Sequence, residues 1–492
     1  MAYPEGSAVH WRQYSQGAFE DAKQQLKPVF MLISARWCHW CHLYENETIE
    51  SAEVSKVLNG HFIPIIIDAD KRQDLAAKYL AGGWPTSIIF DFKGGKLASF
   101  SGHINKNALI GVLQQAAEGK IGPEARMPET DETKRAQYGT EIAQQFISEY
   151  NARLAYVYDD IYGGFGAGRK FHNSNAADYL VTKYAQEKKA LWKGMAERSL
   201  EAMKQLQDRV DGGFFRYAAT REWSDPHYEK MLDVNSAISG AYLKAGKAFG
   251  NESFVKIAEG NLEWMLKTLY DAKNGGFYGS QEADGHFYNA PPEERKKLMP
   301  PAVDKTKYCG WNAEAAIAFL HGHKMLAKLE YFGVADRTLE FMKKKLVGKN
   351  GALHYYNEAE GGKLDGSLAD NAWAAVAFFE AHKIGREEEH FETGKLLLDY
   401  CISELYSEQK GAFIERNSRS TEMYLANELK SERILYRENA IACWMLLLGH
   451  GATKDRKYME MAKKVIANFL YCEDDIDSAA LIAQVASNLL KT

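Results

Sequence analysis

The chain has 492 residues, of which 46% are hydrophobic and 26% are charged, and its formal net charge is -5 at pH 7. This balance is typical of a globular protein with two or three domains and argues against a surface for nucleic acids. No apolar run is long enough to span a membrane, and the polar start of the chain lacks a signal-peptide pattern. We therefore expect a cytoplasmic protein with neither a nucleic-acid nor a membrane partner.

The cysteines divide into one close pair and four single residues. The six positions are Cys38, Cys41, Cys309, Cys401, Cys443 and Cys472. The last four fall singly in apolar helical patterns, where a free cysteine behaves as a small core residue. This usage favours a reducing compartment and one dedicated redox or metal pair over a disulfide scaffold.

The first 120 residues alternate between helix and strand patterns. In chain order, the spacing of apolar residues predicts helix 18–26, strand 28–34, helix 43–58, strand 62–67, helix 74–79, strands 87–90 and 97–100, and helix 107–118. The last two strands flank Lys93-Gly94-Gly95, a turn signal that predicts a hairpin. The alternation predicts an α/β domain over residues 1–122.

The cysteine pair lies between a buried strand and a helix. Cys38 falls at the predicted helix N-terminus, where backbone amides and the helix dipole stabilise a thiolate. Cys41 lies one turn further on, close enough to form a disulfide. A protonated His39 would lower the pKa of Cys38. This setting favours thiol–disulfide exchange, in which Cys38 attacks and Cys41 resolves the mixed disulfide.

Two motifs in this segment resemble the thioredoxin superfamily. They are Trp37-Cys38-x-x-Cys41, followed by a strand that ends in Asp68, and Gly83-Trp84-Pro85-Thr86. The spelling Cys38-His39-Trp40-Cys41-His42 is similar to the N-terminal domain of the spermatogenesis-associated protein 20 type. The resemblance implies that Pro85 is cis and faces Cys38, and that Trp37, His39, His42, Trp84 and Pro85 support a redox site.

Other interpretations of the pair stay open. Cys38-x-x-Cys41-His42 also fits haem attachment, although that requires an exported chain and an open segment. A zinc site would need more ligands than this stretch supplies, and the pair could also be an inactive remnant. Thioredoxins commonly carry a buried Asp where this chain has Leu32, so His42, Glu45 or water would have to accept the proton of Cys41. We expect neither a metal nor a cofactor.

Residues 123–138 read as a polar linker, and a repeat follows it. Gly-Gly-Phe recurs at 163–165, 212–214 and 275–277, with weaker copies at 351–353 and 411–413. Acidic residues precede the strong copies, and we assign Asp160, Asp211 and Asp271 to the pattern. Each glycine pair predicts a tight turn, and each aromatic residue predicts a core contact beneath it.

Charged and apolar helices alternate through the rest of the chain. The charged set covers 139–157, 190–209, 252–270, 335–347, 388–406 and 455–470, and the apolar set covers 175–186, 232–248, 312–328, 369–383, 438–449 and 477–490. Six charged helices around six apolar ones predict an all-α (α/α)6 barrel over 139–492, similar to the six-hairpin glycosidase and sugar-epimerase superfamily. The fold class is therefore α/β plus all-α.

The apolar helices begin with polar residues that would meet at one mouth of the barrel. N-capping explains part of this pattern. The candidates for ligand binding are His227, Glu229, Asp233, Glu282, His286, Trp311, Asn312, Asp370 and Glu438. Carboxylates and tryptophans around a funnel suit a sugar ligand. The leading hypothesis is a thiol–disulfide oxidoreductase acting on a protein partner, and the alternative is a carbohydrate-active or carbohydrate-binding barrel.

Overall fold

The computed structural model describes residues 6–80, 82–122, 138–416, 433–471 and 475–491. The chain divides into two units, one centred on residues 6–122 and the other on residues 138–491. None of the helices in these ranges combines the length and hydropathy needed to cross a membrane.

The first unit is built on a four-stranded mixed sheet. Its strands are β1 (Val29–Ser34), β2 (Ile63–Asp68), β3 (Thr86–Phe90) and β4 (Lys96–Ser101), in the order β2-β1-β3-β4. β1 is parallel to β2 and antiparallel to β3, and β3 pairs with β4 as the predicted hairpin. Every residue of β1 is buried, which explains its unbroken apolar run.

Helices surround this sheet. They are α1 (Gln16–Gln25), α2 (His39–Tyr44), α3 (Ala52–His61), α4 (Gln73–Tyr79) and α5 (Lys106–Ala117). The single helix predicted over 43–58 is wrong in detail, because α2 begins directly after Cys38 and continues into a π-helix over Glu45–Ile49. The helix α3 then starts after Ser51, whose extended backbone ends the preceding segment.

The second unit contains two concentric sets of helices in its described part. The inner helices are α7 (Ser174–Glu187), α9 (Leu232–Phe249), α13 (Cys309–Leu326), α15 (Leu368–Gly385), α17 (Tyr436–Thr453) and α19 (Ile476–Leu489). The outer helices are α6 (Thr140–Val157), α8 (Ala190–Met203), α10 (Glu252–Thr268), α14 (Leu329–Lys345), α16 (Glu388–Tyr400) and α18 (Arg456–Ala467).

The inner helices form a closed ring. Each packs on the next in the order α7, α9, α13, α15, α17 and α19, and α19 packs back on α7. Each inner helix also packs on an outer helix. Ring closure confirms the predicted (α/α)6 barrel. The inner helices correspond to the predicted apolar set, and the outer helices correspond to the predicted charged set.

Tight connections set the direction of the helices. Five inner helices end at a residue with left-handed backbone, and the next outer helix follows after one more residue; these ends are Lys188, Gly250, Ala327, Arg386 and Lys454. A left-handed C-cap reverses the chain and satisfies a terminal carbonyl. The inner helices consequently run in the same direction, and their N-termini meet at one end of the barrel.

Longer loops at that end carry short strands and two short helices. The strands are β5 (Lys170–Phe171), β6 (Tyr217–Ala218), β7 (Pro226–His227), β8 (Lys230–Met231), β9 (Ser280–Gln281), β10 (Val303–Asp304), β11 (Lys307–Tyr308), β12 (Val347–Gly348), β13 (Gly351–Asn357), β14 (Gly361–Asp365), β15 (Tyr406–Ser407) and β16 (Ala412–Phe413). The helices are α11 (Gly285–Asn289) and α12 (Pro292–Arg295). These loops form the mouth of the barrel.

Candidate functional sites

The cysteine pair has the geometry of a capped helix start. Cys38 is the N-cap of α2, with φ -84° and ψ 108°, and its Sγ accepts a hydrogen bond from the backbone N of Cys41 at 3.3 Å. Cys38 is 4% exposed and Cys41 is fully buried. The two sulfurs are not bonded to each other. The site therefore holds two neighbouring thiols, of which Cys38 lies nearer the surface.

The two sulfurs differ in their surroundings. Burial raises the pKa of Cys41 far above its usual value, and a hydrogen bond to Cys38 raises it further. A thiol that keeps its proton can donate to a neighbouring thiolate and so stabilise it. Burial and the neighbouring sulfur therefore keep Cys41 in the thiol form.

The tryptophans beside the pair are held by specific contacts. Trp37 donates from Nε1 to Asp70 Oδ2 at 2.7 Å, and the Trp37 and Trp84 rings meet edge to face with centroids 5.8 Å apart. The Trp84–Pro85 peptide bond is cis, which confirms that part of the resemblance. The predicted contact between Pro85 and Cys38 stays a prediction.

The histidines of the motif have different exposures. His39 and its neighbour Trp40 are exposed, and their rings lie edge to face at 5.7 Å. His42 is half-buried, and its pKa is lowered by burial first and by His39 second. A neutral His42 therefore adds no positive charge to the site, whereas His39 and Trp40 form a surface that a partner can reach.

In the barrel, a buried lysine fixes each of the three Gly-Gly-Phe loops. Lys170, Lys230 and Lys307 donate from Nζ to Asp159, Asp208 and Asp271 at 2.7, 2.7 and 2.8 Å. Each lysine also donates to a backbone carbonyl of its loop. Aromatic rings enclose the Lys230 ammonium, with centroids 4.7 to 5.4 Å away. These pairs tie each loop to the start of an inner helix.

The acidic positions assigned to this repeat need correction at two sites. Asp271 holds the predicted place, but the equivalent residues in the first two loops are Asp159 and Asp208, not Asp160 and Asp211. In each loop the aspartate lies four residues before the first glycine, and its side chain accepts from loop amides. The lysine that pairs with each aspartate shows which acidic residue is equivalent from loop to loop. The sequence alone does not distinguish it from its acidic neighbours.

Asn312, a predicted ligand-binding residue, instead has a structural role. It is fully buried, its Oδ1 accepts from Phe277 N at 2.6 Å, and its Nδ2 donates to the carbonyls of Phe277 and Tyr308. Asn235 and Asn439 make the same contacts with Phe214 and Phe413. The amide of Asn312 is therefore committed to the loop and is not offered to a ligand.

Two predicted residues form a group with an arginine. Glu229 is 2% exposed and lies 3.4 Å from Arg216 Nη1 and 4.0 Å from His227 Nδ1. Burial raises the pKa of Glu229, and the Arg216 charge opposes that rise. The His227 ring stacks on Tyr217 at 4.0 Å. The structure therefore brings His227 and Glu229 together, as adjacent parts of one loop.

The other candidates have separate surroundings. Asp370 is buried and its Oδ2 lies 2.9 Å from His354 Nδ1, while its Oδ1 accepts from Gly310 N at 3.2 Å. Trp311 is half-buried and packs on Tyr308 at 4.5 Å. Glu282 follows β9 and is half-buried, and His286 is exposed on α11. We find no arrangement that unites these residues around one reacting atom.

Four carboxylates of the mouth act electrostatically on Arg437. Burial opposes its charge, but four carboxylates raise its pKa above the usual value; in order of strength they are Glu314, Glu438, Asp477 and Asp233. All four are half-buried, and Arg437 itself reaches solvent. The cluster thus combines the first turns of α9, α17 and α19 with the second turn of α13. Of its members, Asp233 and Glu438 are predicted candidates.

Protonation in this cluster departs from solution values. Burial raises the pKa of Glu314 to about 8 and that of Asp477 to about 6, and Arg437 opposes both shifts. Burial lowers the pKa of His172 to about 4, and Asp233 opposes this. A carboxyl that is protonated near neutrality, beside ionised carboxylates, can donate a proton while its neighbours accept one.

Comparison with known proteins bears on each unit. Residues 4–113 match the family model Thioredox_DsbH, described as a protein of unknown function, DUF255. Mouse spermatogenesis-associated protein 20 is 28% identical over 337 residues, which make up 60% of this chain and 42% of the mouse protein. The disulfide bond reductase DsbH of Chlamydia pneumoniae is 26% identical over 102 residues, covering 18% of this chain and 61% of that protein.

The barrel resembles solved structures of sugar-converting enzymes. The crystal structure of D-mannose isomerase matches 74% of this chain and 100% of its own, with a TM-score of 0.58 and 12% identity. Residues 4–113 therefore match the DUF255 model, and the second unit shares the (α/α)6 barrel fold of the solved structures. It spans less than half the length of the mouse protein that it matches.

Sequence reasoning missed three residues of the barrel mouth. They are His172, Glu314 and Arg437, none of which stands in a recognisable motif. Glu314 lies in the second turn of an otherwise alanine-rich inner helix, and Arg437 follows directly after a buried tyrosine. A charged residue inside an apolar helix was the available signal, because such a residue needs solvent or a partner.

One further group of side chains in the described ranges meets the spacing of metal ligands. Ligand atoms of Asp336, Glu387 and His390 lie within 4.8 Å of one another. His390 Nε2 is 3.0 Å from Asp336 Oδ1 and 3.5 Å from Glu387 Oε2. Ion pairing of the imidazole with both carboxylates accounts for this geometry, so we assign no metal here.

Proposed function

We propose that this protein is a thiol–disulfide oxidoreductase that acts through Cys38 and Cys41. The observation that carries the proposal is the hydrogen bond by which the Cys38 sulfur caps α2, accepting from the backbone N of Cys41. The match to the DUF255 family and the similarity to a disulfide bond reductase support it. The substrate class is a protein disulfide, reached through the exposed surface of His39 and Trp40.

The reaction proceeds by two exchanges. The thiolate of Cys38 attacks one sulfur of the substrate disulfide, the substrate S–S bond breaks, and the departing thiolate takes a proton from solvent. Cys41 then loses its proton and attacks Cys38, so that the mixed disulfide breaks and the Cys38–Cys41 disulfide forms. The substrate leaves fully reduced, and an external dithiol must reduce the pair before the next cycle.

Trapping of mixed disulfides tests this assignment. A Cys41→Ser variant should accumulate disulfides between Cys38 and substrate proteins, because the resolving thiol is absent. The matched control is Cys443→Ser, which removes a fully buried core cysteine and should trap nothing. Failure of Cys41→Ser to trap a model disulfide substrate, together with failure of the wild-type pair to oxidise, would refute the proposal.

A second candidate function is sugar binding at the barrel mouth. The carboxylates around Arg437 favour it, since a protonated and an ionised carboxyl in one funnel suit recognition of hydroxyl groups. The names of the similar structures supply the choice of ligand class. Calorimetric titration with reducing mono- and disaccharides should show binding to wild type and a loss of binding in Arg437→Met. Absence of heat with every sugar would exclude this function.

A further inference from the structure

The resolving step requires an acceptor for the proton of Cys41, and this inference rests on the proposed function. Cys41 is fully buried, and its high pKa means that an unassisted deprotonation would be slow. Leu32 occupies the place where thioredoxins commonly carry a buried aspartate, and it is fully buried in the apolar core. The acceptor must therefore lie elsewhere.

A serine connects Cys41 to a carboxylate. Ser34 lies two residues after Leu32 on β1, so both side chains point to the same side of the sheet. Ser34 is fully buried and donates from its hydroxyl to Glu45 Oε1. The Ser34 hydroxyl also interacts with the Cys41 thiol, whose pKa it lowers. Ser34 thus stands between the Cys41 thiol and the Glu45 carboxylate, and we call these three side chains the relay.

The local backbone places the Glu45 carboxylate beside Ser34. Glu45 is the first residue of the π-helix Glu45–Ile49, which interrupts the regular helical turn after α2. Single π-turns inside helices often occur at functional sites, because they shift side chains relative to the preceding turn. Glu45 is half-buried, so its carboxylate can exchange protons with solvent more readily than Cys41 can.

We propose that Glu45, acting through the Ser34 hydroxyl, accepts the proton of Cys41 during resolution. The Cys41 thiol gives its proton to Ser34 Oγ while the Ser34 proton passes to Glu45, and the resulting Cys41 thiolate attacks the mixed disulfide. Afterwards Glu45 releases the proton to solvent. Ser34 remains neutral throughout, and the net transfer is one proton from sulfur to carboxylate.

The charges around the relay agree with this role. Burial raises the pKa of Glu45, the Ser34 hydrogen bond opposes the rise, and Glu50 and Asp68 add to it. A carboxylate of raised pKa is a stronger base than one in solution. His42 is a poorer candidate, because its pKa is lowered by burial and by its neighbours His39 and Arg36.

A two-phase reaction with 5,5′-dithiobis(2-nitrobenzoate) separates this inference from the proposed function. Cys38 releases one thionitrobenzoate when it forms the mixed disulfide, and Cys41 releases a second when it resolves that disulfide. The signal from other cysteines is subtracted with a Cys38→Ser sample. Glu45→Gln should leave the first phase unchanged and slow the second about 100-fold at neutral pH. The deficit should shrink as pH rises, because hydroxide replaces the carboxylate.

Matched variants exclude a merely structural effect. Glu47→Gln changes an exposed carboxylate in the same π-helix and should leave both phases unchanged. Ser34→Ala should slow the second phase as Glu45→Gln does, whereas Glu45→Asp should restore part of its rate. An unchanged second phase in Glu45→Gln overturns the relay. A missing first phase in wild type refutes the proposed function instead.

Discussion

The two candidate sites of this protein are built in opposite ways. The cysteine pair of the thioredoxin-like domain lies within four consecutive residues, and the backbone at the start of α2 places the Cys38 sulfur against the Cys41 amide. The barrel mouth combines side chains from His172 to Asp477, which meet only because six inner helices close a ring. A site of the first kind survives many changes elsewhere in its domain, whereas a site of the second kind depends on the loops that hold each helix start.

The buried ion pairs of the Gly-Gly-Phe loops allow a test of how far the barrel depends on these loops. Lys230 and Asp208 are both essentially inaccessible to solvent, and Arg295 also donates to Asp208. Burial lowers the pKa of Lys230 to about 8, and Asp208 opposes this. Removal of one partner leaves a charge in a poorly hydrated site, which is far costlier than loss of a surface pair.

Asp208→Ala should have the largest effect on the barrel. We expect the free energy of unfolding to fall by about 3–5 kcal/mol, because Lys230 and Arg295 lose their common counterion. Chemical denaturation followed by tryptophan fluorescence measures this change. Oxidation of the Cys38–Cys41 pair below the unfolding transition should proceed at the wild-type rate, since the pair depends on its own helix start.

The control for Asp208→Ala is Glu293→Ala. Glu293 forms an ion pair with Lys296, but their side chains are 80% and 69% exposed, and we expect a change within about 0.5 kcal/mol. Equal losses in the two variants would contradict the view that burial gives the Lys230–Asp208 pair its importance. A slower oxidation of the cysteine pair in Asp208→Ala would contradict the independence of the two sites.

Asn312→Ala should have the next largest effect. It deletes three hydrogen bonds to the backbone of Phe277 and Tyr308 and leaves those groups buried without this partner. Each buried group left unpaired costs about 1–3 kcal/mol, so we expect a loss of about 2–4 kcal/mol in unfolding free energy. If Asn312→Ala had wild-type stability but an altered affinity for a ligand of the mouth, Asn312 would have a role in binding and not in stability.

Much of the fold follows from local patterns in the sequence. The buried strand before the cysteines, the hairpin at Lys93-Gly94-Gly95 and the two classes of barrel helix each have a periodicity that predicts the element. The helix after the cysteines was the weak point. Its π-turn arises where Glu45 contacts Ser34 across the domain, and such a contact leaves no periodic signal.

The candidate sites were less evenly predictable. A contiguous sequence motif identifies Cys38 and Cys41. Which residues line the barrel mouth depends instead on which face of each inner helix turns inward. Asn312 and Asp233 begin neighbouring inner helices with similar polar spelling, yet one binds the loop backbone and the other faces Arg437. The difference depends on ring geometry, which a linear pattern of polar residues does not contain.

Glu314→Gln should have the smallest effect, and its pH dependence tests the charge cluster directly. Burial raises the pKa of Glu314 to about 8 in the folded protein, against about 4.3 for an unperturbed glutamate. Between these values the folded state binds more protons than the unfolded state, so the stability contributed by this group falls as pH rises. The amide of Gln cannot ionise and therefore removes this loss.

The expected result is a difference in stability that appears only under alkaline conditions. At pH 5 wild type and Glu314→Gln should unfold at similar denaturant concentrations, whereas at pH 9 the variant should be more stable by about 1–3 kcal/mol. The gain is limited because solvent reaches the half-buried carboxyl and Arg437 partly offsets its charge. An equal gain at both pH values would mean that packing is responsible. A gain confined to pH 9 would show that the mouth holds a carboxyl that is protonated at neutral pH. In the cysteine site, by contrast, the group that keeps a proton at neutral pH is the Cys41 thiol.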